Sequence, residues 1–119
     1  MANPNLLNIT SITAHRKVGT LAVNYGTFKI DNLANSDELV KIISCYLTNK
    51  TANTVSIDAY FIDGITEYQF ADALDLPPET TIQLVSKDAP IYIPESNSMA
   101  FQCSAATSVD CLISYEIMS

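Results

Sequence analysis

Residues 38–64, ELVKIISCYLTNKTANTVSIDAYFIDG, set two runs rich in Val, Ile, Tyr and Phe either side of the polar cluster TNKTANT at 48–54. Such a cluster between two β-rich runs reads as a hairpin turn. With the turn centred on Thr51, counting outward sets Leu47 against Val55, Cys45 against Ile57 and Ile43 against Ala59, so odd-numbered residues form one apolar face. That face is predicted to be the core of a sheet. The even-numbered face is polar in its middle, where Ser44 opposes Asp58. Toward the open end it turns apolar again, with Ile42 against Tyr60 and Val40 against Ile62. These four residues are predicted to form an outward patch that is covered either by another subunit or, within the monomer, by the second sheet or the N-terminal segment. Lys41 falls in the inward phase of this register.

Working outward, residues 1–14, MANPNLLNITSITA, carry no charged side chain, and Leu6, Leu7, Ile9 and Ile12 make them too apolar for a solvated tail. They read either as an edge strand or as an arm laid on a neighbouring subunit, with residues 15–119 as a single β domain. His15, Arg16 and Lys17 form the basic cluster that follows. They read either as a solvated strand end or as a contact to an acidic neighbour of the same kind. Leu21, Val23 and Tyr25 alternate, and Phe28 and Ile30 resume one residue out of phase after Gly26, which marks a bulge or tight turn. Asp63 and Gly64 form a turn, Tyr68 and Phe70 belong to the next strand, and DALDLPPE at 72–79 is expected to leave the sheet at its prolines.

Short runs at 80–85 and 91–93 follow. Met99, Phe101 and Cys103 then alternate up to a small-residue turn, and Val109, Cys111, Ile113, Tyr115 and Ile117 alternate after it. Read as a second hairpin centred on Thr107, these runs place Cys103 opposite Cys111, as a reduced buried pair or a cross-strand disulfide. No segment repeats apolar residues with helical spacing. About eight strands with polar turns between them predict an all-β, antiparallel β-sandwich of jelly-roll or Ig-like type.

Composition narrows the function classes. The chain of 119 residues has 13 acidic and 6 basic side chains, a net charge of −7, which argues against a nucleic-acid backbone as partner. No apolar run approaches the ~20 residues of a membrane-spanning helix, and the N-terminus lacks a signal-peptide pattern, so a soluble protein retained where it is made is expected. Three cysteines match neither a disulfide framework nor a zinc pattern. The single histidine, His15, sits beside two cations, and no serine or cysteine has an evident imidazole partner. No glycine-rich phosphate loop occurs. No catalytic residue, cofactor or metal is therefore expected. Asp72, Asp75 and Glu79 share a segment and read as solvated carboxylates rather than a calcium site. Tyr46, Tyr60 and Tyr92 are the candidates for a sugar-binding platform, against the plainer reading of packing at an interface or core rim. Asn8-Ile9-Thr10 and Asn49-Lys50-Thr51 match the glycosylation pattern.

The opening MANPNLLNITSIT, the middle run KIISCYLTNKTANTVSIDAYF and the ending APIYIPESNSMAFQCSAATSVDCLISYEI resemble small virion structural proteins of tailed phages that infect marine cyanobacteria and related bacteria. The ending matches a Val-x-x-x-x-Ser-Tyr-Glu strand at Val109, Ser114, Tyr115 and Glu116. Cys45, Cys103 and Cys111 depart from the aliphatic or small residues expected at their positions. The resemblance implies a non-enzymatic structural component of a phage particle, foremost a head decoration or cement protein assembled in the host cytoplasm. Neck, tail or fibre components and glycan- or receptor-binding modules are the alternatives. It also implies other virion proteins as partners, the major capsid protein or neck and tail proteins, and a homo-oligomer, with a trimer among the forms. The interface residues expected on these grounds are Leu6, Leu7, Ile9, Ile12, Arg16, Lys17, Val40, Ile42, Tyr60 and Ile62.

Overall fold

The computed structural model describes residues 10–119. Within them, apolar residues alternate along nine strands: β1 (Ile12–Thr20), β2 (Phe28–Asp31), β3 (Leu39–Asn49), β4 (Val55–Asp63), β5 (Thr66–Leu76), β6 (Thr81–Val85), β7 (Ile91–Ile93), β8 (Asn97–Cys103) and β9 (Val109–Met118). The strands form two antiparallel sheets that bury one face of each against the other. Sheet A runs β1-β9-β3-β6, with β7 also paired to β3, and sheet B runs β2-β8-β4-β5. β6 covers β3 from Cys45 to Thr48 and β7 covers it from Val40 to Ile42, so the two act as halves of one strand. The pairings β1 with β9, β2 with β8, β3 with β6 and β7, and β4 with β5 nest inside one another. A long hairpin rolled over a sandwich produces that order, which makes the fold a jelly roll.

This order overturns both hairpins expected from sequence. β3 and β4 are consecutive and their odd residues face inward from Cys45 to Ala59, but β3 bonds to β9, β6 and β7, whereas β4 bonds to β5 and β8. The partner of Cys45 is Ile113, and that of Ile57 is Cys103. β8 and β9 likewise lie in different sheets, so Cys103 is not opposite Cys111. Both short connections are corners that carry the chain from one sheet to the other. They are tied to each other's strands: Lys50 N–H donates to the Ser108 carbonyl at 3.0 Å, and Ser104 N–H to the Ser56 carbonyl at 2.9 Å. Segment 72–76 does not leave the sheet; it completes β5, and only Pro77 and Pro78 break the strand.

Side chains that alternate inward from both sheets fill the core, including Ile42, Leu47, Ile57, Met99, Phe101 and Ile113. β3 departs from strict alternation at a bulge between Ile42 and Ser44 in its pairing with β9. The extra residue, Ile43, shifts the phase, so Val40 and Ile42 point inward before the bulge and Cys45 and Leu47 after it. At one side the sheets close where β1 crosses β2. Lys17 Nζ lies 5.3 Å from the centre of the Phe28 ring, and that ring meets Phe101 edge-on with centroids 6.2 Å apart.

Two buried asparagines hold loops by their amides. Asn49, fully buried at the end of β3, donates to the carbonyls of Asn53, Leu76 and Pro77 and accepts from Thr51 N–H and its hydroxyl. Asn32 donates to the carbonyls of Glu38 and Ile93 and accepts from the Ser36 hydroxyl. Neither amide is left without partners in the low-dielectric interior.

Candidate partner-binding surfaces

The patch predicted from Val40, Ile42, Tyr60 and Ile62 does not exist as one surface. Val40 and Ile42 belong to the core, 3% and 0% exposed, because the bulge at Ile43 reverses their phase. Tyr60 and Ile62 do face outward, but on sheet B. Of the N-terminal residues, Leu6, Leu7 and Ile9 lie outside the described residues, as does the acceptor Asn8 of the first glycosylation pattern. Ile12, 60% exposed, begins β1, and Arg16 and Lys17 lie in the middle of that strand. Asn49 is no acceptor for a glycan in the folded chain, since its side chain is buried and all three carbonyl contacts occupy its amide.

Two outer faces take the place of the predicted patch. On sheet A, direct register across three strands sets Val18 of β1 beside Leu112 of β9 and Leu112 beside Tyr46 of β3. All three are exposed, Val18 by 64% and Leu112 and Tyr46 by 39% each. They border a shallow groove whose polar wall is Thr20, Thr48 and Asp110. The Thr20 hydroxyl donates to Asp110 at 2.8 Å, and Lys50 approaches the same carboxylate at 3.2 Å. The Thr20 hydrogen bond, with Lys50 behind it, holds the Asp110 carboxyl below its ordinary range. An apolar row with a fixed polar rim has the anatomy of a protein-contact face.

Outward-facing Leu112 and Tyr46 were visible in sequence: each interrupts an alternation whose neighbours, Cys111 and Ile113 or Cys45 and Leu47, point inward. The register that joins them to Val18 was not, since it depends on β1 and β9 pairing across nearly the whole chain.

The outer face of sheet B is polar. Gln102 donates to Asp58 at 2.7 Å and to the Tyr60 hydroxyl at 3.1 Å, while the Ala73 N–H donates to the other Asp58 oxygen at 2.7 Å. Tyr25, from the loop before β2, lies against Tyr60 with ring centroids 4.8 Å apart and donates its hydroxyl to Glu67. That bond to Glu67 raises the Tyr25 phenol above its ordinary value; burial, and then Asp58 and the other carboxylates around it, raise Tyr60. These groups satisfy one another and pin the β1–β2 loop across the sheet. The tyrosines expected to form a sugar platform are divided, with Tyr46 and Tyr92 on sheet A and Tyr60 on sheet B.

Among the described residues, no three of His, Cys, Asp and Glu come together as a metal site. Asp72 and Asp75 are spread along β5, with Glu79 in the turn beyond it. His15 stacks on Tyr115 at 5.3 Å and hydrogen-bonds Thr13 at 2.8 Å. No protein-family model matches the chain, and no curated protein matches it.

Proposed function

We propose that this chain is a non-enzymatic structural component of a phage virion, a decoration or cement protein of the head that binds the capsid surface through the outer face of sheet A. The observation that carries the reading is the apolar row Val18, Leu112 and Tyr46, aligned across three paired strands and left open to solvent. Jelly rolls serve in viral shells and also in lectins and enzymes, so the strand order supports the reading only by analogy of fold. The sequence resemblance supports it independently.

The test is direct. Peptides of this chain are expected in density-purified particles of the phage that encodes it, at a fixed ratio to the major capsid protein. Recombinant chain carrying Tyr46→Lys and Leu112→Lys is expected to remain folded and fail to bind particles that lack the native protein. Absence from purified particles, with the chain confined to the infected-cell lysate, rejects the virion reading. Undiminished binding of the double variant rejects sheet A as the docking face.

A further inference from the structure

A sandwich has four sheet edges, and in this one they differ in charge. β1, ITAHRKVGT, carries Arg16, Lys17 and His15 and no acid. β2, FKID, is balanced, with Lys29 and Asp31 3.8 Å apart. β6 and β7, TIQLV and IYI, carry no charge. β5, TEYQFADALDL, carries Glu67, Asp72 and Asp75 and no base. The strand orders place β1 at one end of sheet A and β5 at the end of sheet B on the opposite side of the molecule. The chain is thus basic along one rim and acidic along the other.

Among the described residues, no strand lies on the outer side of either rim. Ser11 and Ser119 exchange both backbone hydrogen bonds at 3.0 Å, and Leu21 N–H donates to the Val109 carbonyl at 2.8 Å, so odd residues of this strand bond to β9. The backbone groups of Ile12, Ala14, Arg16, Val18 and Thr20 therefore point away from β9, where no strand pairs with them among the described residues. β5 has β4 on one side only, and all but its last residue and Ala71 are exposed, including Tyr68 and Phe70 at 59% and 40%. Long edge strands with apolar side chains pair with other chains unless something prevents it.

Charge decides which pairing is open. Two β1 strands joined about a two-fold axis would bring Arg16, Lys17 and His15 of one copy onto those of the other. Two β5 strands would oppose their carboxylates. Like charges directly across a strand pair are destabilising. The geometry points to a head-to-tail contact in which the basic β1 edge of one copy pairs with the acidic β5 edge of a second copy of this chain. Such a heterologous contact closes into a ring of three or more copies or extends as a chain, and does not stop at a symmetric dimer. The edges carry this contact whether or not the chain belongs to a virion.

The experiment uses the full chain in sedimentation velocity at low salt and at about 1 M salt, where exposed charges more than ~3 Å apart are screened. Wild type is expected to form species of three or more copies that dissociate at high salt. Two charge-reversed variants, Arg16→Glu with Lys17→Glu and Asp72→Lys with Asp75→Lys, are each expected to sediment as monomers with a dissociation constant raised tenfold or more. Mixed in equal amounts, they are expected to reassemble, because each then offers the edge the other lacks. Circular dichroism melts of each variant alone establish that it is folded. A wild-type monomer or symmetric dimer, assembled single variants, or folded variants that fail to reassemble when mixed would each overturn the head-to-tail contact.

Discussion

The sulfur atoms of Cys45 and Cys111 lie 3.9 Å apart across β3 and β9, both in the core. Cys103, the partner expected for Cys111 from sequence, lies in the other sheet and directs its thiol to the Ala105 carbonyl at 3.0 Å. All three are free thiols. The hydrogen bond with Cys45, and burial, raise the Cys111 thiol far above its ordinary value; burial also raises Cys103. A thiol whose folded pKa is raised contributes no pH dependence while the unfolded thiol is protonated. Above the unfolded value of 9.0 the unfolded chain ionises and the folded one does not, so stability falls as pH rises. The unfolding free energy from urea titration is expected to hold up to about pH 8.5 and then fall, by at most about 1.4 kcal/mol per pH unit for each thiol that stays protonated. A Cys45→Ala, Cys103→Ala, Cys111→Ala variant with the same alkaline decline would assign it to other groups.

Asn49→Ala is expected to cost about 1–3 kcal/mol, because it leaves the buried carbonyl of Leu76 and the part-buried one of Pro77 without their donor and frees Thr51 from its acceptor. Asn49→Asp should cost at least as much, since a carboxylate cannot donate to those carbonyls. Chemical denaturation of the two variants checks both the size and the order.

The inward phase of these strands was legible because alternation depends only on the strand itself: Cys45, Leu47, Val55, Ile57 and Ala59 are all buried as read. Partner choice was not. A corner between sheets and a hairpin turn have the same length and the same polar residues, and the inward face is apolar in either case. What distinguishes them is the long-range order β1-β9-β3 and β2-β8-β4, which no local stretch encodes. The bulge at Ile43 was foreshadowed by Lys41, whose place in the inward phase contradicted its charge. The run 72–76 was misread because the two prolines that follow it suggested a break in the whole segment, whereas they end the strand only after Leu76, and an edge strand has an outer face on which its carboxylates stay wet. The sheet A row escaped notice for the same reason as the partners: Val18 joins Leu112 only through the β1–β9 register.

The bulge also predicts how Ile42 and Tyr60 respond to replacement. Ile42→Ser removes a fully buried side chain and is expected to cost about 2–5 kcal/mol, whereas Tyr60→Phe loses hydroxyl hydrogen bonds to Gln102 and Gln69 at a part-buried site, about 1 kcal/mol. Equal, small effects on the thermal midpoint would return Ile42 to the surface and reject the bulge.

Gly19 offers a test of how the sheets close at the β1–β2 rim. A Cβ on Gly19 would stand 2.9 Å from Phe28 Cε2 and 3.2 Å from Cδ2, closer than packed atoms approach. The ring cannot swing away freely, because Phe28 is buried and set edge-on against Phe101. Replacing glycine by alanine in a strand otherwise stabilises by about 0.4–1 kcal/mol through the unfolded chain, and overpacking a filled site costs about 1–3 kcal/mol. The second effect is the larger, so Gly19→Ala is expected to lower stability by about 1–2 kcal/mol on that balance. The cause is separable from a general intolerance of β1 by a double-mutant cycle. In a Phe28→Leu background the ring edge is gone, and Gly19→Ala should become neutral or stabilising, a coupling of 1 kcal/mol or more by the usual range for contacting residues. Additive effects in that cycle would mean that Phe28 does not lie under Gly19 and that β1 does not close over β2 as described.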